Sequence, residues 1–258
     1  MRFLHLLKEG QPLWARLDGE AAVELSAAPW EPSCRDIGPI ALDPGTPLLP
    51  PCQPTKIICV GKNYTAHIRE LHGNEDLPQE PLIFLKPSSA LNAPGGAIVL
   101  PPQSQRVDYE GELALVIGKT VSWCNEEDAS SAIFGYTLAN DVTARDLQKK
   151  DGQWTRGKSF DSFCPVGPYL VTDLPPKPTI VTRVNGVEKQ RADLDQMIFP
   201  PAIIVRYISQ VMTLHPGDII LTGTPEGVGP LAPGDIVEIE IEGIGLLRNS
   251  VELRGRRA

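Results

Sequence analysis

The stretch Asp108-Tyr109-Glu110-Gly111-Glu112-Leu113-Ala114-Leu115-Val116-Ile117 sets two carboxylates at the mouth of a run that otherwise has the pattern of a buried strand. Side chains alternate faces along a strand, so Glu110 and Glu112 share a face with Ala114 and Val116. Ionised carboxylates are costly to bury unless paired, hydrogen-bonded or bound to a metal. Two of them on one inward face, with no basic residue between, call for a cation. The competing interpretation is a solvated strand end. A second acidic strand gives the contrast: Glu238, Glu240 and Glu242 alternate with Val237, Ile239 and Ile241. There every acid lies on one face and every apolar residue on the other, the pattern of an ordinary half-solvated strand.

Outward from this stretch, short strand-like pieces separated by turns dominate. Leu13–Leu17 and Ala21–Leu25 precede a segment with five prolines at 44–54, which has the composition of a stiff linker. The expected division is therefore a small N-terminal domain with linker, 1–54, and a main domain, 55–258. Lys56–Val60 is expected as a buried strand, followed by a short helix over Asn63–Leu71 with Asn63 as its N-cap. Asn125 is placed to cap a helix running to about Phe134. Asn185-Gly186 marks a hairpin turn. Ile203, Ile204, Tyr207, Ile208, Val211 and Met212 recur at helical spacing, and Pro-Gly-Asp turns at Pro216 and Pro233 each launch a strand.

The chain has 258 residues, enough to bury a large core. Its 23 glycines and 26 prolines make up about a fifth of the chain, well above the usual share of roughly 12%. That density favours turn-rich sheets over a helical bundle, so the expected class is α+β and β-rich. The net charge of −8, with no basic cluster before the tail of Arg254, Arg256 and Arg257, argues against general affinity for nucleic acid. Five cysteines without C-x-x-C spacing suit reduced thiols, and no apolar run approaches membrane-spanning length. Met1–Leu17 is broken by charges and lacks the pattern of a signal peptide, so a cytoplasmic location with no membrane partner is expected.

Asp141 supplies a third acid, at the end of the strand-like piece Tyr136–Asn140. Its alternative role is that of a helix N-cap. Three oxygen donors without His or Cys suit a hard ion, Mg²⁺ or Mn²⁺, better than zinc. His67 and Glu70 lie three apart on the expected helix, hence on one face. A carboxylate beside an imidazole orients it as a base; a solvent-exposed pair of no consequence has the same spacing. Lys158, amid Gly157 and the aromatic residues Trp154 and Phe160, is either aimed at an anion or a surface charge. The turn Thr222–Gly229 offers backbone N–H groups that can hold an oxyanion or carboxylate, or is simply a tight turn.

Taken together, the chain from residue 55 onward resembles the fumarylacetoacetate hydrolase superfamily. The resemblance rests on Gly61-Lys62-Asn63-Tyr64 through His67-x-x-Glu70, Phe84-Leu85-Lys86-Pro87, Glu110-x-Glu112, and Asn140-Asp141-Val142-Thr143-Ala144-Arg145-Asp146. It continues through Lys158-Ser159-Phe160-Asp161, Cys164-Pro165-x-Gly167-Pro168 and Gly217–Pro225. It implies a mixed β-sandwich roll with a few short helices, a homodimer, and a divalent metal (Mg²⁺ or Mn²⁺) held by Glu110, Glu112 and Asp141. It further implies a lid helix carrying a catalytic His67–Glu70 dyad, an active-site Lys158, and Arg145, Gln148 and Thr224 lining the substrate pocket. The region before residue 55 resembles the small N-terminal domain of many bacterial members.

The reaction expected from this resemblance is C–C cleavage in a small 2-oxo acid: hydrolysis of an acylpyruvate such as fumarylpyruvate or acetylpyruvate, or decarboxylation of oxaloacetate. His67 backed by Glu70 would activate water, and Lys158 would stabilise the enolate that forms. The alternative is an isomerase or tautomerase of 2-oxo or 2-hydroxy-diene dicarboxylates, which needs only proton movement at carbon. A binding protein without catalysis is a third class, disfavoured because all five metal and dyad positions carry the required side chains.

Overall fold

The computed structural model describes residues 1–19, 21–43, 45–73 and 76–255; Arg256 and Arg257 of the basic tail lie outside them. The strand Gly111–Ile117 is buried at every residue and lies between Ile133–Asn140 and Ile219–Leu221, antiparallel to both. Its two faces supply two cores. Leu113, Leu115 and Ile117 join a cluster with Ile204, Val205 and Ile208 of the helix Pro201–Val211 and with Ile239, Ile241 and Leu247. Ala114 and Val116 belong to a second cluster with Cys59, Cys164 and Leu221. Each large apolar side chain so buried contributes about 1.5–3 kcal/mol relative to exposure.

The sheet built on this strand has twelve members, and a five-stranded sheet packs against it. The five-stranded sheet contains the acidic strand Ile236–Ile241, whose Val237, Ile239 and Ile241 are buried. Its Glu240 pairs with Arg183 at 2.7 Å and its Glu238 with Arg248 at 3.3 Å, as an ordinary half-solvated strand should. The hairpin of Thr179–Val184 and Val187–Asp193 turns at Asn185 (φ 53°) and Gly186 (φ 75°), the two left-handed positions that an Asn-Gly turn favours. A three-stranded sheet of Val107–Tyr109, Thr143–Ala144 and Gly229–Pro230 completes a β-rich α+β fold with few, short helices.

The first strands form an antiparallel meander, Arg2–Lys8, Gln11–Asp18, Ala21–Leu25 and Asp36–Ile40. It joins the main sheet through Arg2 and Phe3, opposite Val171 and Leu170. Leu48–Leu49, from the proline-rich segment, pairs with His5 and Leu6, so that segment runs along the sheet.

Two helix expectations separate here. Asn125 caps Glu126–Ala132, its side chain accepting from Asp128 N–H at 2.8 Å. Asn63 caps nothing: the helix is Thr65–His72, and its N-cap Tyr64 makes no side-chain cap bond. Asn63 instead donates to the Thr222 carbonyl (2.7 Å) and the Phe199 carbonyl (3.1 Å), and accepts from Phe199 N–H (2.7 Å). Distant backbone outcompetes the local cap.

The strands Ile57–Gly61 and Ile219–Leu221 run parallel, with Ile57 opposite Ile219. One buried carboxylate holds their starting ends. Asp218 accepts from Thr55 N–H (2.9 Å) and Oγ1 (2.7 Å), Lys56 N–H (3.1 Å) and His215 N–H (2.8 Å), and pairs with the Lys56 ammonium. Burial alone would lift this carboxyl, but these bonds, led by Lys56, outweigh burial and hold it below its ordinary 3.8. The stabilisation is therefore fully present above pH 3.8 and is lost as pH falls through the lower folded value. Asp218→Asn is expected to cost about 3 kcal/mol at pH 7. It should also flatten the acid limb of the stability profile, as read from urea denaturation from pH 5 down through the lowered folded value.

Candidate metal and active site

Glu110 sits at the break between the strands Val107–Tyr109 and Gly111–Ile117, and Glu112 is the second residue of the latter. Asp141 directly follows Ile133–Asn140, and the pairing of Asn140 with Gly111 brings it alongside. Asp141 N–H donates to the Glu110 carbonyl (2.9 Å), and Glu110 N–H donates to Asn140 Oδ1 (2.9 Å). Gly111 is required between the two glutamates, because a Cβ there would lie 2.1 Å from Thr182 Oγ1. Asp141 is not a helix cap: the next helix is Arg145–Asp151, which follows Ala144. One carboxylate oxygen from each of Glu110, Glu112 and Asp141 lies within 4.8 Å of the others, and all three residues are buried.

Protein cations already share this charge. Lys158 Nζ donates to Glu110 Oε2 (2.8 Å) and Asp141 Oδ2 (2.6 Å). Arg145 pairs with Glu110 and donates through Nε to Asp108 Oδ2 (2.9 Å) and through Nη1 to Gln148 Oε1 (2.8 Å). Lys86 donates to Asp141 Oδ1 (2.6 Å) and to the Val142 carbonyl (3.1 Å). Burial alone would lower the Lys158 ammonium, yet Asp141 and Glu110 outweigh it and raise it above 10.5. For Glu110 burial works upward, and Lys158 with Arg145 reverses it, holding the carboxyl well below the usual carboxylate range.

Glu112 has no such help. Its carboxylate accepts from Gly223 N–H (2.6 Å) and, among the described residues, pairs with no cation. Burial, then the like charges of Asp141 and Glu110, push it well above 4.5. A buried, under-partnered carboxylate beside two others is a site that a divalent ion completes, and an all-oxygen donor set suits a hard ion.

These acids floor a cavity of about 270 Å³, small among ligand pockets. Its apolar wall includes Phe84 and Trp154, whose rings meet edge to face at 5.1 Å. Trp154 also packs on Gly61, where a Cβ would lie 2.8 Å from the indole. His67, Arg145, Gln148, Lys158 and Thr224 all line this cavity. Glu70 flanks it, with Oε2 3.6 Å from His67 Nδ1, close but beyond a hydrogen bond. Burial holds the His67 imidazole below its ordinary 6.5, so it is neutral at pH 7. The Thr224 hydroxyl donates to the Gly111 carbonyl (2.9 Å) and accepts from Gln190 (2.8 Å), tying it to the metal-site strand.

The Gly-rich turn does hold carboxylates, and both are the protein's own. Gly223 N–H serves Glu112, and Gly227 N–H serves Glu70 at 3.0 and 3.2 Å. Sequence reasoning assigned no role to Lys86, Asp108 or Gln190. For Lys86 a signal existed, a lone lysine ending the apolar strand Leu82–Lys86; Asp108 and Gln190 carry none beyond their pairing.

Residues 56–252 match the family model described as fumarylacetoacetate (FAA) hydrolase C-terminal. The chain is 46% identical over 217 residues to oxaloacetate tautomerase FAHD2A of Bos taurus, covering 79% of this chain and 68% of that protein. It superposes on a 2-hydroxyhepta-2,4-diene-1,7-dioate isomerase from Mycobacterium marinum with TM-score 0.89 and 44% identity, covering 99% and 100% of the two chains. A fumarylpyruvate hydrolase from Pseudomonas aeruginosa, in complex with Mn²⁺ and pyruvate, is similar with TM-score 0.73 and 34% identity, covering 83% and 94%.

Glu112→Gln removes the under-partnered charge. In chelator the variant should melt at or above wild type. Added Mn²⁺ at about 100 times its Kd should stabilise wild type by about 2.7 kcal/mol and the variant by much less, as read from thermal unfolding.

Proposed function

The chain belongs to the fumarylacetoacetate hydrolase family, and from that premise we propose that it is a divalent-metal-dependent enzyme converting a small 2-oxo dicarboxylic acid, of the oxaloacetate class, between keto and enol forms. The observation that carries this reading is the buried trio Glu110, Glu112 and Asp141, joined by Lys158 at the floor of a cavity that His67 also lines. Glu110, Glu112 and Asp141 would hold Mg²⁺ or Mn²⁺, which when bound supplies Lewis acidity toward a 2-oxo acid's oxygens.

The rest falls to the chain's own side chains. His67, neutral at pH 7, takes the proton from C3 of the keto form and delivers it to the C2 oxygen of the enolate, giving the enol; the reverse direction carries the same proton back to C3. Lys158 stays protonated and stabilises negative charge developing on the C2 oxygen. Arg145, braced by Asp108 and Gln148, presents fixed positive charge along the wall. Phe84 and Trp154 limit water, so these charges act in a low-dielectric space. Tautomerisation asks for nothing more than this set.

A second reading, C–C cleavage by acylpyruvate hydrolysis or oxaloacetate decarboxylation, is favoured by the position of Glu70 beside His67, suited to activating water, and by the similarity to a fumarylpyruvate hydrolase. Product analysis with Mg²⁺ or Mn²⁺ separates the two. Tautomerisation gives faster enol–keto equilibration of oxaloacetate at unchanged mass. Cleavage releases pyruvate from acetylpyruvate or fumarylpyruvate, or CO₂ from oxaloacetate. His67→Ala is expected to lower kcat roughly 10²–10⁴-fold. Glu110→Ala and Asp141→Ala should remove activity, and full activity after exhaustive chelation would overturn the metal's role.

A further inference from the structure

Glu70 is a flexible side chain about one-third exposed, and His67 Nδ1 is buried with no hydrogen-bond partner among the described residues. What fixes Glu70 near that nitrogen is the turn opposite, since Gly227 N–H donates to both carboxylate oxygens. Gly227 is itself fixed. Its φ is +93°, and a Cβ there would lie 2.0 Å from the Lys189 carbonyl, so the backbone at this point tolerates no side chain. Its carbonyl accepts a hydrogen bond from the Tyr109 hydroxyl at 2.8 Å. Tyr109 is buried and sits opposite Gly229 in the three-stranded sheet, immediately before Glu110.

We propose that Tyr109 is a positioning residue for the dyad: its hydroxyl orients Gly227, whose N–H holds the Glu70 carboxylate beside His67. The consequence for turnover rests on the catalytic role of His67 and Glu70 proposed above; the tethering of Glu70 does not. Tyr109→Phe keeps the ring and removes the donor.

A double-mutant cycle with Glu70→Ala tests the proposal. Tyr109→Phe alone should lower kcat about tenfold with KM within about twofold, since one orienting hydrogen bond is lost. In the Glu70→Ala background it should change kcat by less than about twofold, because its target is gone. Equal losses in both backgrounds, or no loss in either, would overturn the proposal, since a merely structural tyrosine acts independently of Glu70. Amide hydrogen exchange of the helix Thr65–His72 gives a readout free of activity. Exchange there should quicken in Tyr109→Phe and Glu70→Ala, and stay at the wild-type rate in Glu70→Gln, whose side-chain oxygen still accepts from Gly227. Unchanged exchange in the first two refutes the tether. Absence of turnover on every 2-oxo acid, with the exchange pattern as expected, would refute the proposed reaction and leave the tether standing.

Discussion

Buried negative charge in excess of buried positive charge is the constraint around which this molecule is arranged. Asp108, Glu110, Glu112 and Asp141 are withdrawn from water, and Lys86, Arg145 and Lys158 are withdrawn with them. The ion pairs distribute those three cations over three of the acids, leaving Glu112, among the described residues, with a single backbone N–H. A folded protein does not leave a charge in that condition without a proton or an ion to answer it. The doubly covered strand Gly111–Ile117 makes the arrangement rigid, because its two faces anchor separate cores and neither can shift without disturbing the other.

The turn from Thr222 to Gly229 connects this floor to the helix above it. Its start receives the Asn63 side chain, fixing the chain just before the helix; its later part receives Glu70, from within the helix. Between these points Gly223 grips Glu112 and Thr224 grips the Gly111 carbonyl. One turn thus sets the position of a floor carboxylate and of the carboxylate beside His67. Proteins named an isomerase, a tautomerase and a fumarylpyruvate hydrolase are all similar to this chain, and a shared fold does not by itself fix the reaction.

Much of this was legible in the residues themselves. Glu110 and Glu112 stand out because apolar residues follow them on both faces; Asp141, at the end of a strand-like piece, alone has the pattern of a helix N-cap, and its place beside them comes from the pairing of Asn140 with Gly111. The Asn185-Gly186 turn and the Asn125 cap are local signals, and local backbone obeys them. What stayed hidden is pairing across the chain. Asn63 has the residue type of a cap but bonds Thr222, 159 positions away. Lys86 is one lysine among many until the sheet folds it against Asp141, 55 positions on. The Gly-rich turn has the composition of either a cradle for an oxyanion or carboxylate or a plain tight turn, and no pattern along the chain says that the carboxylates it holds come from within.

The parallel pairing of Ile57–Gly61 with Ile219–Leu221 bears on how the protein comes into being during translation. Until Ile219 has left the ribosome, the strand Gly111–Ile117 lacks its neighbour on one side and presents an open apolar edge, the kind of template that recruits stray strands. The acids of the site are synthesised long before the turn that completes them. Pairing at such sequence separation is slow to form, and the edge stays open until residues 219–221 arrive.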